Sequence, residues 1–73
     1  MKKYIDKTNN SGVESFEITS NCIKVKFKYS DEIYIYSYKS AGKTNVENMK
    51  NLAIEGIGLS TYISKYASEK FEK

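Results

Sequence analysis

A chain of 73 residues, 40% hydrophobic and 29% charged, has the composition of one small globular domain and leaves no room for a second core. It has no His and one Cys, so it cannot assemble a four-ligand Cys/His zinc site or a histidine-based catalytic pair. The net charge is +3, and Lys supplies all 12 cationic side chains, although Arg is the usual residue for bidentate phosphate contacts.

The first residues of the chain carry few apolar side chains and end in the turn-forming sequence Asn9-Asn10-Ser11. We predict a flexible or weakly ordered leader over residues 1–11, with order near Tyr4 and Ile5 and a loose stretch through Lys7–Ser11, and a single domain over residues 12–73. The leader lacks the apolar segment of a signal peptide, and the chain has no apolar run of membrane-spanning length. These features predict a cytoplasmic protein without membrane contact.

Three segments with a period of two predict strands over Val13–Ile18, Ile23–Tyr29 and Ile33–Tyr38. The second is the clearest, because four apolar residues alternate with three lysines. The third is rich in β-branched and aromatic residues, which favour strands. Short connections join all three segments, so we predict an antiparallel meander with one apolar face.

The second half of the chain predicts two helices that cover the apolar face of the sheet. Thr44 followed by Glu47 has the pattern of a capping box, Gly56 is a suitable C-terminal stop, and Ser60 begins the second helix. The fold class is therefore α+β, a three-stranded antiparallel β-meander followed by two C-terminal helices packed on one sheet face. The predicted core consists of the apolar residues Phe16, Ile18, Ile23, Val25, Phe27, Val46, Met49, Leu52, Ile63 and Tyr66.

The loop after the second strand decides which face of the sheet carries the tyrosines. A two- or four-residue loop pairs Phe27 with Tyr34 and places Tyr34 and Tyr36 on the helix side. A three-residue loop shifts the phase by one and places both tyrosines beside Lys26 and Lys28. The turn contains Ser and Asp but no Gly, which favours the four-residue loop and leaves the second arrangement open.

The order of these motifs resembles the KTSC domain: Ile23-x-Val25-x-Phe27, then Tyr34-Ile35-Tyr36, then a helix that contains Leu52 and stops at Gly56. The resemblance covers residues 11–66. The chain departs from the family in lacking a Gly in the hairpin before Tyr-x-Tyr and a Pro after the third strand. The resemblance implies a short bacterial domain without an assigned biochemical role. RNA binding has been suggested for it, because it also occurs at the C-terminal end of some lysyl-tRNA synthetases.

RNA is the first candidate partner, and the candidate binding residues lie on the second and third predicted strands. Lysines on a strand face neutralise phosphates, and exposed aromatic rings on a sheet stack bases. The same lysines are typical of any solvated sheet face, and the tyrosines are typical of half-buried packing. The candidate nucleic-acid-binding residues are Lys24, Lys26, Lys28, Tyr34 and Tyr36.

A protein partner or self-association is the alternative. If the tyrosines face the helices, Ile33 and Ile35 lie among lysines on the other sheet face, and an edge strand can accept a further strand. No pair of acidic residues points to catalysis in so small a chain. Cys22 has no basic neighbour in the sequence except Lys24, so a reactive thiol is not indicated either. We therefore expect a non-enzymatic bacterial binding module with no catalytic residue, metal site or cofactor.

Overall fold

This computed structural model describes residues 1–5 and 12–72, and four strands among them form one antiparallel sheet. Strand β1 spans Lys2–Lys3, β2 spans Val13–Ile18, β3 spans Cys22–Phe27 and β4 spans Ile33–Ser37, and they lie side by side in chain order. The α+β class and the antiparallel meander are confirmed. The predicted three strands are corrected to four, because residues assigned to the leader supply β1. The loose stretch predicted before Gly12 lies outside the described residues.

Strand β1 is anchored by the residue that follows it. Tyr4 is 4% exposed, and its N–H donates to the carbonyl of Glu14 at 2.9 Å. Its ring meets Phe16 edge-on, with ring centroids 6.3 Å apart. Burial of one large aromatic ring offsets the ordering of a two-residue strand. A strand of two residues is too short to show a period of two, so no sequence pattern predicts it.

The pairing of β3 with β4 places the tyrosines on the helix side, as the favoured loop predicts. Val25 lies opposite Tyr34, and Ile23 lies opposite Tyr36. This register is displaced by two residues from the predicted one, and a displacement by two leaves every side chain on its expected face. Residues 27–32 separate the last cross-strand pair, Lys26 and Ile33, so the connection is longer than the favoured four-residue loop but has the same even parity.

The helical half of the chain contains more elements than predicted. Within residues 12–72, α1 spans Tyr38–Ala41, α2 spans Lys43–Glu55 and α3 spans Leu59–Tyr62, and α3 continues into π-helical turns over Ile63–Ala67. The two predicted helices are corrected to three, because Tyr38 begins α1 instead of ending a strand. Gly56 ends α2 at φ 75°, as predicted, and Gly58 at φ 73° precedes α3. None of the helices in the described residues is long and apolar enough to cross a membrane.

The predicted capping box at Thr44 and Glu47 is wrong, and a different one is present. Helix α2 begins one residue before Thr44, and no side chain caps it. At α1, Ser37 Oγ accepts from the Ser40 N–H at 3.0 Å, and Ser40 Oγ accepts from the Ser37 N–H at 3.0 Å. Ser37 ends β4 in the extended conformation that an N-cap requires, whereas Thr44 is already helical.

The two caps make opposite predictions for alanine variants. Ser37→Ala is expected to lower the free energy of unfolding by about 1 kcal/mol, because it leaves the backbone N–H of Ser40 without its acceptor. Thr44 is exposed and caps nothing, so Thr44→Ala should change the free energy of unfolding by less than about 0.5 kcal/mol. Urea unfolding of both variants measures the difference, and a larger loss at Thr44 would contradict the assignment.

The core lies between the sheet and the helices. Seven predicted core residues are buried: Phe16, Ile23, Val25, Phe27, Val46, Met49 and Ile63. Leu52 is half-buried against them. Two predictions are wrong: Ile18 lies partly exposed at the end of β2, and Tyr66 is 57% exposed. Tyr66 turns outward because the buried positions after Gly58 are Leu59, Ile63 and Ala67, four residues apart.

Candidate nucleic-acid interface

The face of the sheet that points away from the helices is called the open face here. Directly opposite residues on neighbouring strands share a face, so the cross-strand pairs define its members. The open face consists of Lys3, Ser15, Glu17, Lys24, Lys26, Ile33 and Ile35. It carries two of the predicted lysines but neither of the predicted tyrosines. The chain therefore does not form a sheet face that is both basic and aromatic, because the lysines and the tyrosines lie at positions whose side chains point to opposite faces of the sheet.

Glutamates from β2 pair with the two predicted lysines of the open face, Lys24 and Lys26. Lys26 Nζ lies 3.0 Å from Glu14 Oε1, and Lys24 Nζ lies 3.9 Å from Glu17 Oε2. Both pairs are partly exposed and contribute little to stability. They lower the positive potential that a phosphate chain would meet, since each lysine already has a carboxylate beside it. Lys24 and Lys26 are thus weak candidates for RNA contacts.

Lys28 lies apart from these two, in the loop between β3 and β4. Its backbone N–H donates to the carbonyl of Gly12 at 2.8 Å, and its side chain is exposed. Lys28 forms no ion pair with any residue in the described part of the chain. Its chain neighbours are Phe27 and Tyr29, which line the cleft on the helix side of the sheet.

A concave feature lined by aromatic rings, called the aromatic cleft here, lies where the end of the sheet meets the last helical turns. Its volume is about 260 Å³. Aromatic rings form its walls, and hydroxyl groups and one carboxylate complete them. The cleft is lined by Phe27, Tyr29, Tyr34, Tyr36, Ser60, Ile63, Ser64, Ser68, Glu69 and Phe71. Two of the predicted binding residues, Tyr34 and Tyr36, are therefore brought together here.

The rings of the cleft support one another by edge and face contacts. Phe27 and Tyr29 stack with centroids 5.4 Å apart and an interplanar angle of 21°. Phe71 meets the edge of Tyr34 at 4.8 Å and that of Tyr36 at 6.2 Å. Such contacts hold the rings at defined angles beyond the effect of burial alone. Tyr29 is 78% exposed, so one ring of the set is available to an incoming planar group.

The segment containing Phe71 is fixed to the edge of the sheet. The N–H of Glu72 donates to the carbonyl of Ile35 at 2.7 Å, and the N–H of Lys70 donates to the carbonyl of Ala67 at 3.1 Å. The first bond occupies an outward-facing acceptor of β4, the exposed edge strand. Phe71 and its neighbours are held against the cleft by these two bonds.

The serines of the cleft come from one face of the last helical segment. Ser60 lies in α3, Ser64 lies in the π-helical turns, and Ser68 follows them, at a constant spacing of four residues. In an α-helix two steps of four residues drift by about 80° around the axis. The wider π-helical turns reduce this drift and keep the three hydroxyls on one side.

Tyr36 forms the floor of the cleft. It is 1% exposed, and its hydroxyl forms no hydrogen bond with any described residue. Burial raises the pKa of the Tyr36 hydroxyl to about 12, with smaller contributions from Tyr29 and Tyr34. The hydroxyl is therefore protonated at neutral pH, and it can donate to or accept from a group that enters the cleft.

This pKa predicts a loss of stability in alkali. The folded state binds the Tyr36 proton more tightly than the unfolded chain, whose tyrosines titrate near 10.0. The contribution is full below pH 10 and is lost as the pH rises toward 12. Urea unfolding across this range should show a shallower decline for Tyr36→Phe than for the unchanged protein or Tyr66→Phe. Identical declines in Tyr36→Phe and the unchanged protein would contradict the assignment.

A second polar cluster joins α1 to α2. The Tyr38 hydroxyl donates to Glu47 Oε2 at 2.5 Å, and Lys50 Nζ lies 2.9 Å from the same oxygen. The bond from Tyr38, aided by Lys50, lowers the pKa of Glu47, and the bond to Glu47 raises the pKa of Tyr38. All three side chains are partnered, so the cluster joins two helices and offers no open site. It also explains why Glu47 takes no part in a cap.

No family model, curated protein or solved structure matches this chain. The chemistry of the cleft therefore rests on its own geometry. In residues 1–5 and 12–72 no three side chains of Cys, Asp or Glu cluster as metal ligands would. The rings, hydroxyls and carboxylate of the cleft are groups that stack and form hydrogen bonds.

Sequence reasoning found Tyr34 and Tyr36 but missed other residues of the cleft. Tyr29 was assigned to the end of a strand, and Glu69 and Phe71 lie beyond the last predicted apolar position. The one available signal was the repeat of Ser60, Ser64 and Ser68, since a stripe of small hydroxyl residues four apart indicates a polar helix face. Nothing local indicates that this face meets the tyrosines.

Proposed function

We propose that this protein is a non-enzymatic module that binds single-stranded RNA and holds one base in the aromatic cleft. The observation that carries the proposal is the set of five aromatic rings around a cavity whose floor is an unpaired tyrosine hydroxyl. Rings provide stacking surfaces for bases, and a hydroxyl reads a base edge. A reduced Cys22 and an RNA partner both suit the cytoplasm.

The size of the cleft suits a single base. A drug-sized ligand needs roughly 300–1,000 Å³, and the cleft offers about 260 Å³. The strand would therefore cross the mouth of the cleft with one nucleotide turned inward. Tyr29 lies at the mouth, where it can stack a base that enters.

The lysines around the cleft, rather than those of the open face, are the candidate phosphate contacts. Lys28, Lys65 and Lys70 are exposed, and each is the chain neighbour of one or two residues that line the cleft. None of the three forms an ion pair with a described residue. Lysines beside a groove attract the RNA backbone as point charges, and the net charge of +3 adds a weak general attraction.

The first test compares two lysines with the same substitution. Binding of a short fluorescein-labelled single-stranded RNA is followed by polarisation at several salt concentrations. Lys28→Gln should weaken binding and reduce the slope of affinity against salt by about 1. Lys26→Gln, which removes a lysine already paired with Glu14, should leave the slope unchanged. Absence of binding at low salt, or an equal effect of both variants, would overturn the proposal.

The second test compares two exposed tyrosines. Tyr29→Ala should lower the affinity by about 5- to 150-fold, the range expected when one stacked base loses its aromatic partner. Tyr66→Ala removes a ring that is 57% exposed and lies outside the cleft, and it should leave binding unchanged. Circular dichroism is the control that checks whether both variants remain folded.

One observation favours a protein partner instead. Ile33 is 50% exposed on the open face, and Ile35, two residues further along β4, is half-buried on the same face. These isoleucines are the apolar residues expected on this face when the tyrosines lie on the other one. Self-association through this patch would appear as a rise in molecular mass with concentration in light scattering, and Ile33→Lys should abolish that rise.

A further inference from the structure

We infer that Glu69 makes the aromatic cleft selective for guanine among the RNA bases. This inference rests on the proposed RNA-binding function and adds base specificity to it. Three features of the cleft support it: its charge, the hydrogen-bonding pattern that a carboxylate requires, and the position of Glu69 between two fixed points.

Glu69 is the one charged side chain among the described residues that line the cleft. It forms no ion pair or hydrogen bond with any described residue. A carboxylate repels a phosphate group, so the group that enters the cleft is the base and the backbone stays outside. Lys28, Lys65 and Lys70 fit this arrangement, because each is a chain neighbour of residues that line the cleft but does not line it itself.

An ionised carboxylate only accepts hydrogen bonds, and it can accept two in parallel. Guanine presents two adjacent donors, N1–H and the N2 amino group, on its Watson–Crick edge. Uracil presents one N–H between two carbonyl oxygens, which a carboxylate repels. Adenine and cytosine each present an amino group beside a bare ring nitrogen. Guanine is therefore the base whose edge matches Glu69.

The remaining polar groups of the cleft are compatible with this base. Guanine also carries the O6 acceptor, which needs a donor. Tyr36 and the serines offer hydroxyl groups that rotate to donate or accept. The aromatic rings contact the two faces of a base without regard to its identity. Discrimination thus falls to the group with a fixed hydrogen-bonding character, which is Glu69.

The backbone around Glu69 is held on both sides. Ala67, two residues before it, is buried in the core and accepts the N–H of Lys70. Phe71, two residues after it, packs against Tyr34. A residue whose backbone is held in this way loses less backbone freedom on binding than one on a free loop.

The experiment uses a uridine-rich single-stranded RNA with one internal position occupied by G, A, C or U. The unchanged protein should bind the G-containing RNA about 5- to 150-fold more tightly than the U-containing RNA, the range for one good bidentate base contact. Glu69→Gln should reduce this ratio to near 1. The matched control Glu55→Gln removes the same charge from an exposed position at the end of α2 and should retain the ratio.

Inosine in place of guanine provides a second readout, because it lacks only the N2 amino group. The unchanged protein should bind inosine more weakly than guanine, and Glu69→Gln should bind the two equally. Equal affinity for all four bases, with Tyr29→Ala still weakening binding, would overturn the specificity and leave the RNA-binding function standing. Absence of binding to every RNA would overturn both.

Discussion

Replacement of Leu59 by Ala is expected to lower the free energy of unfolding by about 3–5 kcal/mol. Leu59 is fully buried, and it follows Gly58 at the corner where the chain turns back toward the sheet. Its removal leaves a cavity that the surrounding helices and strands fill only in part. A domain of this size has about 3–5 kcal/mol of total stability, so the variant should be largely unfolded at 25 °C. Far-ultraviolet circular dichroism with urea titration measures the loss.

Leu52→Ala is the matched control for this prediction. Leu52 is the same residue type but only half-buried, at the edge of the core. Part of its surface already contacts water, so the same truncation should cost much less. Equal losses at the two positions would show that the corner after Gly58 does not carry the core contact assigned to Leu59.

Replacement of Tyr4 by Ala is expected to cost about 3 kcal/mol, although the residue lies in a segment whose sequence predicts a leader. The variant removes the ring that packs on Phe16 and exposes the edge of β2. Ile5→Ala is the control, because Ile5 is the next residue and is 73% exposed. It should change stability by less than about 0.5 kcal/mol. Thermal unfolding followed by circular dichroism compares the two.

A Tyr4→Ala variant as stable as Ile5→Ala would contradict the role of β1. Hydrogen exchange provides an independent measurement of the same strand. The amide of Tyr4, which donates to Glu14, should be protected in the unchanged protein and should exchange rapidly in the variant.

The strands were predictable where the pattern of burial repeats within a few residues. In β3 every second residue faces the helices, so the alternation of lysines with Ile23, Val25 and Phe27 defines both the strand and its inner face. Gly56 was predictable for an equally local reason, since left-handed backbone conformation strongly favours glycine.

The errors arise where the stabilising contact lies far away in the chain. Tyr4 depends on Phe16, and the cap of α1 depends on β4 ending at Ser37, a boundary that propensity alone does not define. Tyr66 was assigned to the core from a spacing of three after Ile63. The π-helical turns bury Ala67 in its place, because wider turns favour a spacing of four.

The candidate site was predictable only in part, for the same reason. Strand parity correctly placed Tyr34 and Tyr36 on the helix side, but the glutamates that pair with Lys24 and Lys26 belong to another strand. The cleft joins the β3–β4 hairpin to a segment about 30 residues later in the chain. Tertiary packing decides such a junction, and local pattern does not encode it.

The π-helical turns over Ile63–Ala67 make this part of the chain tolerant of a change in length. A π-helical turn holds one residue more than an α-helical turn of the same height would. Deleting that residue would restore an ordinary helical turn and leave the residues that follow, Glu69 and Phe71 among them, close to their present positions. The same deletion in an α-helical turn would rotate all that follows by about 100° around the axis. The wide turn therefore lets the last helical segment lose a residue without moving the wall of the cleft.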